Sequence, residues 1–151
     1  MKIRIFSRQK AVKTSYKELE GSKVIISISD PDKNRANFNL QNNSIKAKLY
    51  LSFYDIDEDQ LDIFRNSPVM EDSDAEKICN FVLNWQDKVD EIWVNCEMGV
   101  SRSAGIAAAI SEHLGGNPQE ILESLEYYPN KLCYNLVKDA FMTSKTDENV
   151  V

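Results

Sequence analysis

The sequence DEIWVNCEMGVSRSAGIAAAI, which runs from Asp90 to Ile110, combines three kinds of local structure in one short stretch. Its apolar group Ile92–Val94 predicts a central strand, because β-branched and aromatic residues favour strands. The small residues at 103–110 have high helix propensity, and the glycines at 115 and 116 provide a stop. Between these two elements lies the tight loop Cys96–Arg102. The stretch therefore predicts a strand, a loop and a helix in succession.

Strand and helix patterns alternate along the rest of the chain, which predicts an open α/β sheet. Strand patterns precede the loop at Lys2–Phe6, Lys23–Ser29 and Lys46–Phe53. Helix patterns begin at about Asp72, at Pro118 and at Asn130, the last of them ending near Met142. We expect one domain over residues 1–143, with a mostly parallel twisted sheet of four to five strands flanked by helices, and a flexible C-terminal tail at 144–151.

The amino-acid composition disfavours some classes of binding partner. Hydrophobic residues make up 42% of the chain and charged residues 28%, as in soluble globular proteins. The net charge of −6 disfavours general binding to nucleic acid or to anionic membranes. No apolar run approaches the roughly 20 residues of a membrane span, and Met1–Phe6 lacks the apolar stretch of a secretory signal. We expect a cytoplasmic protein; the composition predicts no oligomeric state.

Only one of the three cysteines lies in a setting that favours chemistry. Cys79, Cys96 and Cys133 are too few and too widely spaced for a disulfide framework or a zinc site. Cys96, however, lies where a strand meets a tight loop and a helix N-terminus, and inward-directed N–H groups there form an anion-binding nest. We expect its thiolate to be populated at neutral pH in that positive environment.

Neighbouring residues strengthen this interpretation of Cys96 over that of an inert buried thiol. Gly99 allows the backbone to curl. Arg102, at the end of the loop, has a planar guanidinium that can bind two oxygens of one anion. Ser103 can donate its hydroxyl to the sulfur. A nucleophile and a phosphate cradle are thus predicted in the same segment.

The segment Asn95–Ala104 resembles the phosphate-binding loop of the cysteine-dependent protein tyrosine phosphatase superfamily, on its dual-specificity-like branch. Through Ala109 it is similar, more closely, to small predicted bacterial tyrosine phosphatases, whose loop reads His-Cys-Glu-Ala-Gly-hydrophobic-Ser-Arg-Ser. The resemblance covers most of the chain, from about Ile3 to about Phe141. It extends to three further segments, namely Ile26–Pro31, Phe53–Asp59 and Tyr128–Asn130.

The resemblance implies a phosphomonoester hydrolase that works through a cysteinyl-phosphate and requires no metal or cofactor. Cys96 would attack phosphorus, and Ser103 would ease the later departure of the thiolate. The substrate phosphate would be held by the loop residues Glu97, Met98, Gly99, Val100, Ser101 and Arg102. In this family an aspartate after an earlier strand protonates the leaving group, and both Asp55 and Asp57 fit that place.

One departure from the family pattern concerns Asn95, which replaces the histidine that usually precedes the cysteine. The alternative function is therefore a phosphate-binding module with impaired catalysis. The interior of the loop carries the negative charge of Glu97 and no positive charge, which favours a phosphorylated protein over inositol phospholipids or RNA ends. Phosphotyrosine is the preferred group, because an aryl oxygen leaves more readily from a modestly activated site.

Overall fold

Four parallel strands form the sheet at the centre of the fold, in the order β1-β4-β2-β3. In this computed structural model, which describes residues 1–149, the strands are β1 (Lys2–Ser7), β2 (Lys23–Ser29), β3 (Ile45–Ser52) and β4 (Glu91–Cys96). Because every neighbouring pair is parallel, the carboxyl ends of all four strands lie at one edge of the sheet. The α/β fold class and the parallel sheet expected from the sequence are confirmed.

Helices cover both faces of the sheet. Within the described residues they are α1 (Arg8–Ser15), α2 (Asp72–Trp85), α3 (Arg102–His113), α4 (Gln119–Leu122) and α5 (Lys131–Asn149), with a 3-10 turn at Glu58–Gln60. None of these helices is both long enough and apolar enough to serve as a membrane span. Parallel sheets covered on both faces bury their central strands completely, and every residue of β2 is indeed buried.

The core is divided by the sheet into two clusters. Alternate strand residues such as Ile26 and Val94 pack against α2, α3 and α5 in the larger cluster. Their neighbours Ile25 and Trp93 face the other side, where they pack with Ala11 of α1 and other apolar side chains in the smaller cluster. This alternation is the period of two expected for extended strands, and it fixes which side chain of β4 faces which layer.

Two features of the helices differ from the sequence-based expectation. The prediction contained no helix after β1, yet α1 begins there because Ser7 Oγ accepts a hydrogen bond from the Lys10 N–H at 3.2 Å and caps an otherwise polar segment. The predicted end of the last helix near Met142 is also wrong. Residues 143–149 contain no glycine or proline to interrupt the helix, so α5 continues through Asn149. Of the expected tail, Val150 and Val151 lie outside the described residues.

The contact between α3 and α5 depends on the absence of a side chain at Gly105. A methyl group there would overlap the backbone carbonyl oxygen of Asn130 and lie 3.3 Å from Cys133 Cβ. We expect Gly105→Ala to lower the free energy of unfolding by about 1–3 kcal/mol, because overpacking forces the two helices apart. Urea denaturation would measure this loss against Asp139→Ala, an exposed control on α5. Equal midpoints for the two variants would contradict the close-packing account.

Candidate active site

The loop that follows β4 curls tightly because Gly99 adopts a conformation that side chains disfavour. Its φ is +71°, in the left-handed region where glycine carries little steric cost. It also packs directly against the end of β1, where a Cβ atom would lie 2.6 Å from the Phe6 carbonyl carbon and close to the Ser7 nitrogen. Gly99 therefore sets both the curvature of the loop and its close approach to the neighbouring strand.

Hydrogen bonds to three carbonyl oxygens hold the loop in place. The Glu97 oxygen accepts from the Arg8 N–H at 3.1 Å, the Val100 oxygen from Tyr128 at 2.9 Å and the Ser101 oxygen from Asn130 at 3.0 Å. In contrast, the N–H groups of residues 98–102 donate to no acceptor within the part of the chain that the structure describes. A run of N–H groups without protein acceptors is what an anion-binding nest requires.

The sulfur of Cys96 lies at the base of this loop. Its Sγ is 3.0 Å from Ser103 Oγ and accepts a longer contact from the Ser103 N–H at 3.5 Å. Cys96 is only 2% exposed, at the boundary between the larger core cluster and the loop. The Ser103 hydroxyl and the N-terminus of α3, which begins at Arg102, therefore lie next to the sulfur.

The guanidinium of Arg102 is fixed on one side only. Its Nη1 donates to Asp30 Oδ1 at 2.8 Å and to the Phe53 carbonyl at 2.7 Å. Its Nε is buried and has no acceptor among residues 1–149. Since Nε and Nη2 form the edge of a guanidinium that binds two oxygens side by side, anchoring through Nη1 leaves that edge for an oxyanion.

The two aspartates proposed as alternatives occupy different environments. Asp55 is exposed, and its Oδ1 accepts from Ser101 Oγ at 2.8 Å and from Asn130 Nδ2 at 2.9 Å, so its carboxyl group lies against the loop. The Asp57 carboxylate instead accepts from backbone N–H groups at two helical ends. Its donors are Glu58 at 2.7 Å, Lys131 at 3.1 Å and Leu132 at 3.1 Å.

Asn130 connects the loop, the Asp55 segment and the start of α5. It is 2% exposed. Besides its bond to Asp55, its Nδ2 donates to the Ile56 carbonyl at 3.2 Å, and its Oδ1 accepts from the Cys133 N–H at 2.9 Å. No local sequence pattern reports the contact between Asn130 and Asp55, because the two residues are 75 positions apart in the chain.

Charged and apolar side chains surround the mouth of the loop. The Glu97 carboxylate lies 3.9 Å from Arg8 Nη1 and 3.7 Å from Lys33 Nζ, so its negative charge is balanced by two cations. Met98 and Tyr128 are 74% and 84% exposed. Met98 belongs to the loop and the Tyr128 N–H donates to the Val100 carbonyl, so both exposed side chains are carried by residues in or next to the loop.

Asn95 lies beneath the loop and is fully buried. Neither its amide oxygen nor its amide nitrogen has a hydrogen-bond partner in the described part of the chain. The residue in register with it on β2 is Ser27, whose Oγ is likewise buried and unpaired there. The position usually occupied by histidine in the family therefore carries a neutral amide whose hydrogen-bonding capacity goes unused by these residues.

Comparison with solved structures places this arrangement in a known fold. Human DUSP28 is similar with a TM-score of 0.62 and 13% identity, over 96% of this chain and 94% of that one. A mouse putative dual specificity phosphatase complexed with zinc tungstate has a TM-score of 0.61 and 14% identity, over 97% of this chain and 86% of that one. PTPMT1 in complex with PI(5)P has a TM-score of 0.57 and 15% identity, over 97% of this chain and 94% of that one. The chain has the dual-specificity phosphatase fold.

Sequence comparison adds nothing to this identification of the fold. No protein-family model matches the chain, and no curated protein matches it. The dual-specificity-like resemblance read from the loop is confirmed at the level of the fold, while the narrower likeness to small bacterial tyrosine phosphatases stays a prediction.

The other two cysteines of this dual-specificity phosphatase fold belong to helices, Cys79 to α2 and Cys133 to the first turn of α5. None of the three forms a disulfide. Cys79 Sγ contacts the Ala140 carbonyl at 3.7 Å between α2 and α5. Burial, and secondarily the negative charge of Asp55, raises the pKa of the Cys133 thiol well above its ordinary value, so this thiol stays neutral at physiological pH. Cys96 alone combines a sulfur with a run of N–H groups and an arginine.

The contacts of Asp57 predict a structural role that can be measured without any assay of activity. Asp57→Ala removes the acceptor for the first N–H groups of α5 and of the 3-10 turn, so we expect a loss of about 1–2 kcal/mol in the free energy of unfolding. Asp57→Asn keeps an acceptor oxygen and should lose about 0.5 kcal/mol or less. Urea denaturation of the two variants tests this difference, and an alanine variant as stable as the parent would refute the capping role.

Proposed function

We propose that this protein is a phosphomonoester hydrolase that acts through a cysteinyl-phosphate. One observation carries the proposal: a cysteine sulfur, an arginine Nε without an acceptor and a run of unpaired N–H groups belong to the same seven-residue loop, Cys96–Arg102. Such a loop meets two needs of phosphoryl transfer, which are a nucleophile and fixed donors for the equatorial oxygens. The catalytic and phosphate-binding roles of individual residues belong to the same proposal.

In the first step the Cys96 thiolate attacks phosphorus and forms an S–P bond. The bond between phosphorus and the leaving oxygen breaks, and the Asp55 carboxyl group supplies the proton that this oxygen takes up. Arg102 and the loop N–H groups hold the remaining phosphate oxygens, where charge spreads in the transition state. Asp55 is preferred over Asp57 because the two oxygens of Asp57 already accept from backbone N–H groups.

In the second step water attacks the phosphorus of the cysteinyl-phosphate and the S–P bond breaks. The Asp55 carboxylate now accepts the proton that the water loses, so the residue acts as acid and then as base. The Ser103 hydroxyl, 3.0 Å from the sulfur, donates to the departing thiolate. Phosphate is released and the enzyme returns to its starting state, with no metal or cofactor in either step.

For the substrate we propose a phosphorylated protein, with phosphotyrosine preferred. The exposed side chains of Met98 and Tyr128 offer apolar contact to an aromatic ring attached to the phosphate. A phosphoinositide is the rival substrate, since PTPMT1, one of the structural neighbours, has been crystallised with PI(5)P. The loop interior, residues 97–101, offers no lysine or arginine to bind the additional phosphate of such a headgroup, and we propose a cytoplasmic location without membrane association.

The second candidate function is a phosphate-binding module without turnover. The observation that favours it is Asn95, whose unpaired amide replaces a histidine next to the nucleophile. Such a module would bind phosphate with the affinity of an active enzyme but would hydrolyse no phosphomonoester.

Replacement of the nucleophile separates these two functions. We expect the parent protein to hydrolyse 4-nitrophenyl phosphate with saturation kinetics, and Cys96→Ser to lower turnover more than about 1,000-fold, because a serine hydroxyl is not ionised at neutral pH. Inorganic phosphate should still bind to Cys96→Ser, since Arg102 and the N–H groups remain. Cys133→Ala is the matched control and should retain turnover. Binding of phosphate by the parent without any hydrolysis would instead establish the module.

The pH dependence of turnover identifies the acid. In the parent, kcat should fall at high pH as the donor carboxyl group loses its proton, which gives a basic limb to the profile. Asp55→Asn should lose that limb and lower kcat by roughly 10²–10⁴-fold, because an amide does not titrate and donates poorly to the leaving oxygen. Asp57→Asn should keep both the limb and most of the rate. The reverse pattern would assign the acid to Asp57.

A further inference from the structure

Asp30 is the acidic residue in direct contact with the phosphate-binding arginine, and the mechanism above gives it no role. It follows the last residue of β2, the strand that neighbours β4 in the sheet. Its carboxylate lies 2.8 Å from Arg102 Nη1, and the two side chains are 22% and 5% exposed. The pair is thus a partly buried ion pair at the carboxyl edge of the sheet, beside the loop.

We propose that Asp30 is a positioning residue that orients the Arg102 guanidinium and, through its negative charge, limits how tightly the loop binds phosphate. This inference rests on the proposed phosphatase function and deepens it. Asp30 itself would touch neither the substrate nor the reacting atoms.

The hydrogen bonds of Arg102 support the orienting role. Nη1 carries two N–H bonds, and Asp30 Oδ1 and the Phe53 carbonyl provide an acceptor for each. A long arginine side chain has many rotamers, and anchoring one of its nitrogens at two points removes that freedom. The buried Nε is then held in the one orientation that leaves its edge to an oxyanion.

The charge of Asp30 supports the second role. A carboxylate in contact with the guanidinium repels a phosphate dianion bound on the opposite edge, across the width of one planar group. In a partly buried site this repulsion is poorly screened, so it weakens binding of substrate and of the product phosphate alike.

Two substitutions of Asp30 separate its role in orienting the Arg102 guanidinium from the effect of its negative charge. Asp30→Asn keeps an acceptor oxygen for Nη1 but removes the negative charge, so it should bind inorganic phosphate about tenfold more tightly, with kcat changed less than about threefold. Asp30→Ala removes both features, and kcat should fall about 10- to 100-fold as the guanidinium loses its anchor. Asp32→Asn is the matched control, an exposed acid two residues further along; it should change neither quantity. Calorimetric titration with phosphate and steady-state kinetics on 4-nitrophenyl phosphate would provide the two readouts.

The outcomes distinguish this inference from the proposed function on which it rests. If Asp30→Asn and Asp32→Asn bind phosphate equally and Asp30→Ala keeps its kcat, Asp30 has only a structural role and the inference is wrong while the phosphatase function stands. If the parent protein neither binds nor hydrolyses phosphomonoesters, both are overturned. Should Asp30→Ala fail to fold, the phosphate affinity of Asp30→Asn decides the matter alone.

Discussion

The site depends on how the backbone of the loop Cys96–Arg102 divides its hydrogen-bonding groups. Three of its carbonyl oxygens are taken by N–H groups from α1 and from the segment before α5, while the N–H groups of residues 98–102 find no acceptor in the described chain. This division is possible because Gly99 takes a positive φ and packs against the end of β1 without a side chain. If these N–H groups were hydrogen-bonded to other backbone atoms, Arg102 would be the only donor that the loop could offer to an anion.

Asp55 and Asp57 lie two positions apart in the sequence but differ in the donors from which they accept hydrogen bonds. Asp57 accepts from N–H groups at the start of α5, where a carboxylate satisfies donors that the helix leaves unpaired. Asp55 accepts from side chains only, those of Ser101 and Asn130, and remains exposed at the mouth of the loop. An acid that must gain and lose a proton cannot also serve as a fixed cap, because protonation would remove acceptor capacity from the helix end.

Much of this architecture is visible in the sequence, and the rest depends on contacts between distant segments. The four strands and the strand-loop-helix at Cys96 follow local patterns of apolar periodicity, glycine placement and residue size. Helix α1 was missed because its sequence is largely polar and its cap is a single serine, Ser7. The pairing of Asp30 with Arg102 spans 72 positions, and the preference proposed for Asp55 over Asp57 depends on the position of α5. Asp30 follows β2 and Asp55 follows β3 in the sequence, but only the arrangement of the parallel sheet brings both carboxylates to the loop.

The net negative charge of the whole protein is compatible with the proposed anion-binding site because electrostatic effects depend on distance. Charges more than about 8 Å away across solvent are largely screened at physiological ionic strength, whereas donors in contact with a bound phosphate are not. Under the proposed function, the affinity of the loop for phosphate would therefore be set by the guanidinium of Arg102, the local N–H groups and the few carboxylates beside them. Among these carboxylates Glu97 is balanced by Arg8 and Lys33, and Asp55 bonds to neutral donors. Asp30 is the one of these carboxylates that pairs with Arg102, and under the proposed function it acts on the group that contributes most positive charge to the site.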